Sequence, residues 1–276
     1  MTPERIAATA ALLVGILVAS AGSLWAATLT VEAGAKRALG SAALLARPEV
    51  RTIVVPDDAS FLRQMTYRAI PLRALLAGPQ WARATTIRII AADGFVTNLP
   101  AKLVFDGAPK RATAWLAIEP ANRPWPKLSD GKTAGPFYLV WTDPAASGVL
   151  REQWPYQVVS IDAVDDPQAR WPQLAFPKGA AIDPVVAKGR DLVMVQCMAC
   201  HRVNGAGDAA VGPDLNRPHN PTDYFQPWAL RALIRDPASV RDWPERHMAG
   251  FPKAAMSDAD VDAIIAYLGF TAKQPR

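Results

Sequence analysis

The chain has 276 residues and a formal net charge of +5, from 30 Lys and Arg against 25 Asp and Glu. Half of its residues are hydrophobic and 20% are charged, which excludes wholesale disorder and collagen-like or coiled-coil architectures. Two cysteines are too few for a disulfide scaffold, and the length predicts about two domains, each able to bury its own core.

From the N-terminus, Ile6 to Ala27 is apolar, with no charge after Arg5, and passes through Leu24-Trp25-Ala26. The pattern predicts a secretory signal peptide over residues 1–27, cleaved near Ala26 or Ala27. A run of about 20 apolar residues also suffices for an uncleaved membrane anchor. Both readings place the rest of the chain in the periplasm, soluble or held to the membrane by its N-terminus.

Residues 28–164 read as a β-rich α+β domain. Thr86 to Ile90 is β-branched, Asp93-Gly94 makes a turn, and Phe95 to Leu99 continues the alternation of a hairpin. Phe137 to Trp141 and Tyr156 to Ile161 predict two further strands. Ile70 to Gly78 predicts a short helix, with Pro71 in its first turn and Gly78 at its C-terminal end. Residues 165–183 are polar and punctuated by Trp171-Pro172 and Phe176-Pro177, the signature of a Pro-rich linker.

Residues 184–276 turn helical. Asp183 is placed to cap a helix with Pro184 in its first position, running up to the cysteines. A second helical stretch covers about Trp228 to Ile234. A third follows Ser257, which forms a capping box with Asp260; Val261, Ile264, Ile265 and Leu268 then make one apolar stripe.

The two cysteines stand three residues apart, and a histidine follows: Cys197-Met198-Ala199-Cys200-His201. C-x-x-C-H is the attachment pattern of c-type haem. Thiols at that spacing on a helix end lie on one side, each able to form a thioether with one vinyl group, and the adjacent imidazole becomes the proximal iron ligand. A zinc site would need further Cys or His at suitable spacing, and only His219 and His247 remain; a redox dithiol would need a βαβ context. A second axial ligand is drawn from His219, His247, Met248 and Met256.

Residues 184–270 resemble class I cytochrome c. The resemblance rests on Cys197 to His201, Gly212-Pro213-Asp214-Leu215, Met248-Ala249-Gly250-Phe251 and Ala266-Tyr267-Leu268. It implies an all-α cytochrome c fold, one covalent haem c and Met248 as distal ligand, with His247 as the competitor and Met256 as a core methionine. Ala249 departs from the family, which often has Pro there. In the family the Pro213 carbonyl accepts a hydrogen bond from the proximal imidazole; the plain alternative is a loop proline. Tyr224, Trp228, Trp243 and Tyr267 are candidates to line the haem pocket or to bond the propionates, or simply to pack the core.

More weakly, residues 50–164 resemble the molybdopterin-binding fold of the sulfite oxidase superfamily, through Ile70 to Leu76, Ala91 to Phe95, Gly135 to Tyr138 and the strand Val158 to Ile161. That family holds molybdenum through a cysteine thiolate, which this region lacks, and it has no histidine either. The resemblance therefore implies a metal-free relative that acts as a docking module. Residues 27–182 carry 18 Lys and Arg against 13 Asp and Glu, whereas residues 183–276 carry 11 of each. The excess positive charge suits a redox partner with an acidic surface or an anionic membrane, and nothing suggests nucleic acid. The expectation is an exported monohaem cytochrome that passes single electrons between redox partners, a carrier rather than a catalyst. The alternatives are the haem part of a periplasmic oxidoreductase with substrate or pterin in the first domain, and a haem-based sensor.

Overall fold

The computed structural model describes residues 27–244 and 246–275. The segment expected to be a signal peptide or anchor lies outside the described residues, apart from Ala27. Among the described residues no helix is long and apolar enough to cross a membrane.

The N-terminal part is built from two sheets. In one, β1 (Thr28–Ala33), β2 (Ala35–Gly40), β5 (Thr86–Ala91), β6 (Val96–Pro100) and β9 (Val158–Val164) lie in the order β2-β1-β9-β5-β6. In the other, β3 (Arg51–Val55), β4 (Met65–Pro71), β7 (Thr113–Ile118) and β8 (Phe137–Thr142) run in the order β3-β4-β7-β8. All pairings are antiparallel except β1 with β9. The inward positions of both sheets, among them Leu29, Val31, Ile87, Ile89, Leu116 and Leu139, join one buried core.

The hairpin expected between Thr86 and Leu99 forms, with Ile87 opposite Leu99 and Ile89 opposite Thr97. Its turn needs a glycine: Gly94 sits at φ +88°, where a side chain would be strained. The helix expected over Ile70–Gly78 is shorter. Ile70 and Pro71 belong to β4, and only Leu72–Leu75 is helical. Pro71 is extended (φ −56°, ψ 126°) and pairs with Trp115 at the strand end, a position that tolerates proline's missing N–H.

The segment read as a linker is packed. Asp166 caps a short helix, Pro167–Arg170, and Trp171, Leu174 and Phe176 then enter the helical core, with Leu174 fully buried. Proline spacing signals the lack of long elements; it does not signal that apolar side chains between the prolines are solvated.

The C-terminal part is helical. The helix Pro184–Leu192 starts at Asp183, whose Oδ1 accepts from Val185 N at 2.8 Å. It continues into a wider turn, Val193–Cys197, closed by Met198 N to Val193 O at 2.9 Å. The last helix, Asp258–Ala272, crosses the first at Gly189. A Cβ there would collide with the Ala263 carbonyl oxygen and lie 2.6 Å from its carbon and 2.9 Å from Tyr267 Cβ. A third helix, Pro227–Arg235, buries Leu230 and Ile234.

Ser257 caps the last helix: its hydroxyl accepts from Asp260 N, and Asp260 Oδ2 accepts from Ser257 N at 3.0 Å. Lys188 of the first helix also reaches Asp260, at 2.6 Å. Ser257→Ala should cost about 1 kcal/mol of stability in denaturant unfolding. Hydrogen bonds from Lys188 and then Ser257 hold the Asp260 carboxyl below the ordinary carboxylate range. Its contribution is therefore present above the unfolded-state value and lost as pH falls through the lower folded value. The stability lost by Asp260→Asn should shrink towards zero on acidification, read from unfolding curves at successive pH values.

Candidate haem site

Cys197, Cys200 and His201 leave the end of the first helix in one tight turn. Cys200 N and His201 N both donate to the Cys197 carbonyl, at 3.1 and 2.8 Å. Both cysteines are free thiols. Burial, and then the nearby Glu152 carboxyl, push each thiol up to about 12. A redox dithiol works through a depressed thiol, so this pair has the opposite character.

The His201 imidazole is oriented by the following loop. Its Nδ1 lies 2.7 Å from the Pro213 carbonyl oxygen; with the proton on Nδ1 donated there, Nε2 is the atom left for a metal. Burial holds the imidazole below its ordinary value, against the opposing pull of the Pro213 carbonyl and Asp214. A neutral imidazole is the form that ligates iron. Gly212 lies against the ring: a Cβ there would stand 2.5 Å from His201 Cε1 and 2.6 Å from Nδ1. Its N–H donates to the Cys200 carbonyl at 2.8 Å.

The loop beyond is fixed by Asp214 of the Gly212–Leu215 pattern and by Asn216 and Asn220, which no motif marks. Asp214 accepts four backbone N–H groups, from Asn204, Gly205, Asn216 and Arg217, at 2.6 to 3.0 Å. Asn216 and Asn220 are fully buried. Asn216 donates to the Thr271 carbonyl and Asn220 to that of Leu268, at 3.1 and 3.0 Å, tying the loop to the last helix. Their signal in the sequence is slight, since Asn and Asp in a Pro-rich loop read first as turn residues.

Met248 is half-buried in an irregular segment and His247 beside it is exposed. The segment is held at its far end. Phe251 N donates to the Ile234 carbonyl at 3.0 Å, and Arg235 Nη1 donates to the carbonyls of Phe251 and Met256 at 2.9 and 2.5 Å. Gly250 lies against the end of the helix Pro227–Arg235, where a Cβ would stand 3.1 Å from Asp236 Cα. Met256 is buried in the helical core and His219 is exposed. Tyr267 is buried where the helices cross, its ring edge-on to Phe176 at 6.4 Å and stacked on Phe270 at 6.5 Å. This is aromatic packing against the segment before the first helix. Tyr224, Trp228 and Trp243 are exposed instead.

The β-rich part closes on this site directly. Val96 N, in β6, donates to the Ala199 carbonyl inside the C-x-x-C-H turn at 2.9 Å. Arg88 of β5 and Arg170 both grip Asp208, at 3.0 and 2.6 Å, and Arg88 also pairs with Asp162 at 2.9 Å. The turn Arg151–Gln153 packs against Val193–Cys197.

Two free thiols three apart and an imidazole anchored through Nδ1 match the donor set that would hold a haem covalently. The fold around them is a small helical domain. The family model described as Cytochrome c matches residues 186–271. The match supports a cytochrome c domain over that stretch, with covalently held haem c and a haem-based electron-carrier role in general. No curated protein matches the chain.

Proposed function

We propose that the chain is an exported monohaem electron carrier. Cys197 and Cys200 would hold the haem through two thioethers, and His201 and Met248 would supply its iron ligands. A haem held there supplies one-electron chemistry. The residues around it orient and exclude: Pro213 fixes the imidazole, Gly212 leaves it room, and the loop anchored at Phe251 presents Met248. Two axial ligands leave no open position for a substrate, which favours carriage over catalysis.

The observation that carries the reading is the 2.7 Å contact between His201 Nδ1 and the Pro213 carbonyl beside two unpaired thiols. The β-rich part serves as the docking module, and its surplus of Lys and Arg selects a redox partner with an acidic face. The apolar run from Ile6 to Ala27 supports export to the periplasm. The experiment is to express the full chain with haem maturation and record its pyridine haemochrome spectrum and a redox titration. One c-type haem per chain and one reversible one-electron step are expected. A haem extracted by acidic organic solvent, or a second haem per chain, would overturn the assignment.

A further inference from the structure

The turn Arg151–Gln153 belongs to the β-rich part but meets the haem-binding segment. It is held rigidly from behind: Trp141 Nε1 donates to the Gln153 carbonyl at 2.8 Å, and Gln153 Oε1 accepts from Leu150 N at 2.8 Å. Gln153 and Trp154 are buried. The turn packs on Val193–Cys197, the last turn before the thioether residues, and carries Glu152, which is half-buried.

Among the described residues Glu152 has neither an ion-pair nor a hydrogen-bond partner, and its neighbour Arg151 is exposed. In the facing segment Gln196 is buried with its Oε1 unsatisfied. Asp93, at the tip of the β5–β6 turn, adds a second carboxylate to the field at Cys200. The Glu152 carboxyl lies close enough to contribute, after burial, to the upward push on both thiols, and burial raises its own titration above the ordinary carboxylate range.

We propose that the β-rich part tunes the haem from outside the cytochrome domain. Glu152 is a fixed carboxylate beside the thioether side of the group, and it stabilises the oxidised over the reduced state. A negative charge near a redox centre favours the more positive state, and partial burial keeps solvent from screening it. The inference rests on attachment at Cys197 and Cys200, which the haemochrome spectrum tests separately.

The experiment is potentiometric titration of the full-chain holoprotein at mildly alkaline pH, where the carboxylate is ionised. Glu152→Gln should raise the midpoint, making the reduced form about tenfold more favoured at a given ambient potential, or about 59 mV for one electron. Glu152→Asp should restore most of the difference. Arg151→Gln should move the midpoint the other way and by less, because Arg151 is exposed. Glu49→Gln, which removes a half-exposed carboxylate paired with Arg47 in the β-rich part, should leave it unchanged. The Glu152 shift should persist at high salt, whereas a surface field would be screened within about 3 Å at 1 M. An unchanged midpoint in a folded, haem-loaded Glu152→Gln protein, or a shift abolished by salt, would overturn the proposal.

Discussion

Replacing Met248 with alanine should abolish the far-red charge-transfer band of the ferric holoprotein and lower its midpoint potential by well over one decade in the redox equilibrium, or more than about 59 mV. A thioether is a soft, neutral donor that favours the reduced iron, and a Met/His pair raises the potential relative to other axial sets. The variant tests the ligand without dismantling its support. Phe251 remains bonded to Ile234, and Arg235 still bonds the carbonyls of Phe251 and Met256, so the loop keeps its anchor. The exposed His247 next to it is the internal control: His247→Ala should leave band and potential in place. The ferrous Met248→Ala protein should also bind carbon monoxide, which the parent should resist. If the parent lacks the band, and its potential moves in His247→Ala but not in Met248→Ala, the distal ligand is His247.

The second large effect is expected at Gly189. The helices Pro184–Leu192 and Asp258–Ala272 touch backbone to backbone there, and an added Cβ meets the carbonyl of Ala263. Backbone cannot turn aside as a side chain can, so the helices must separate along the face where Tyr267 is buried. Overpacking of this kind costs roughly 3 kcal/mol at the severe end, and alanine's better helix propensity offsets about 1 kcal/mol of it. Gly189→Ala should therefore lower Tm by about 10 °C in a domain of this size, followed by far-ultraviolet circular dichroism. Gly269 on the last helix has open space where a Cβ would stand, so Gly269→Ala should raise stability by up to about 1 kcal/mol. A Gly189→Ala protein as stable as the parent would show that the crossing has slack.

The cytochrome domain was legible in the sequence because its chemistry is local. Five consecutive residues carry the haem-attachment pattern, and Ser257 with Asp260 announces the last helix, on which Val261, Ile264 and Leu268 are all buried. The β-rich part was legible only where strands are short-range partners. The β5–β6 hairpin shows its turn, and β8 shows a continuous apolar run. Strands β1 to β4 and β7 carry weaker patterns, and the pairing of β1 with β9 joins the two ends of the region, which no local signal can announce. The same limit hid Asp58. It reads as a loop residue, yet it is buried and accepts from the hydroxyls of Tyr67 and Tyr138, at 2.8 and 3.1 Å. The contacts that bring Glu152, Arg88 and Val96 to the haem segment are likewise visible only in three dimensions.

The bond from Val96 to the Ala199 carbonyl bears on the order in which the molecule matures. Met198 and Ala199, the two residues between the cysteines, are buried, and Gly94 at the tip of the hairpin comes close to Val211. Forming two thioethers requires the ring to lie between both sulphurs. A finished β-sheet resting its edge on that stretch obstructs the ring's access. If haem is attached at Cys197 and Cys200, attachment is expected to precede closure of the two parts, and protein folded without haem should take it up poorly when haem is added afterwards.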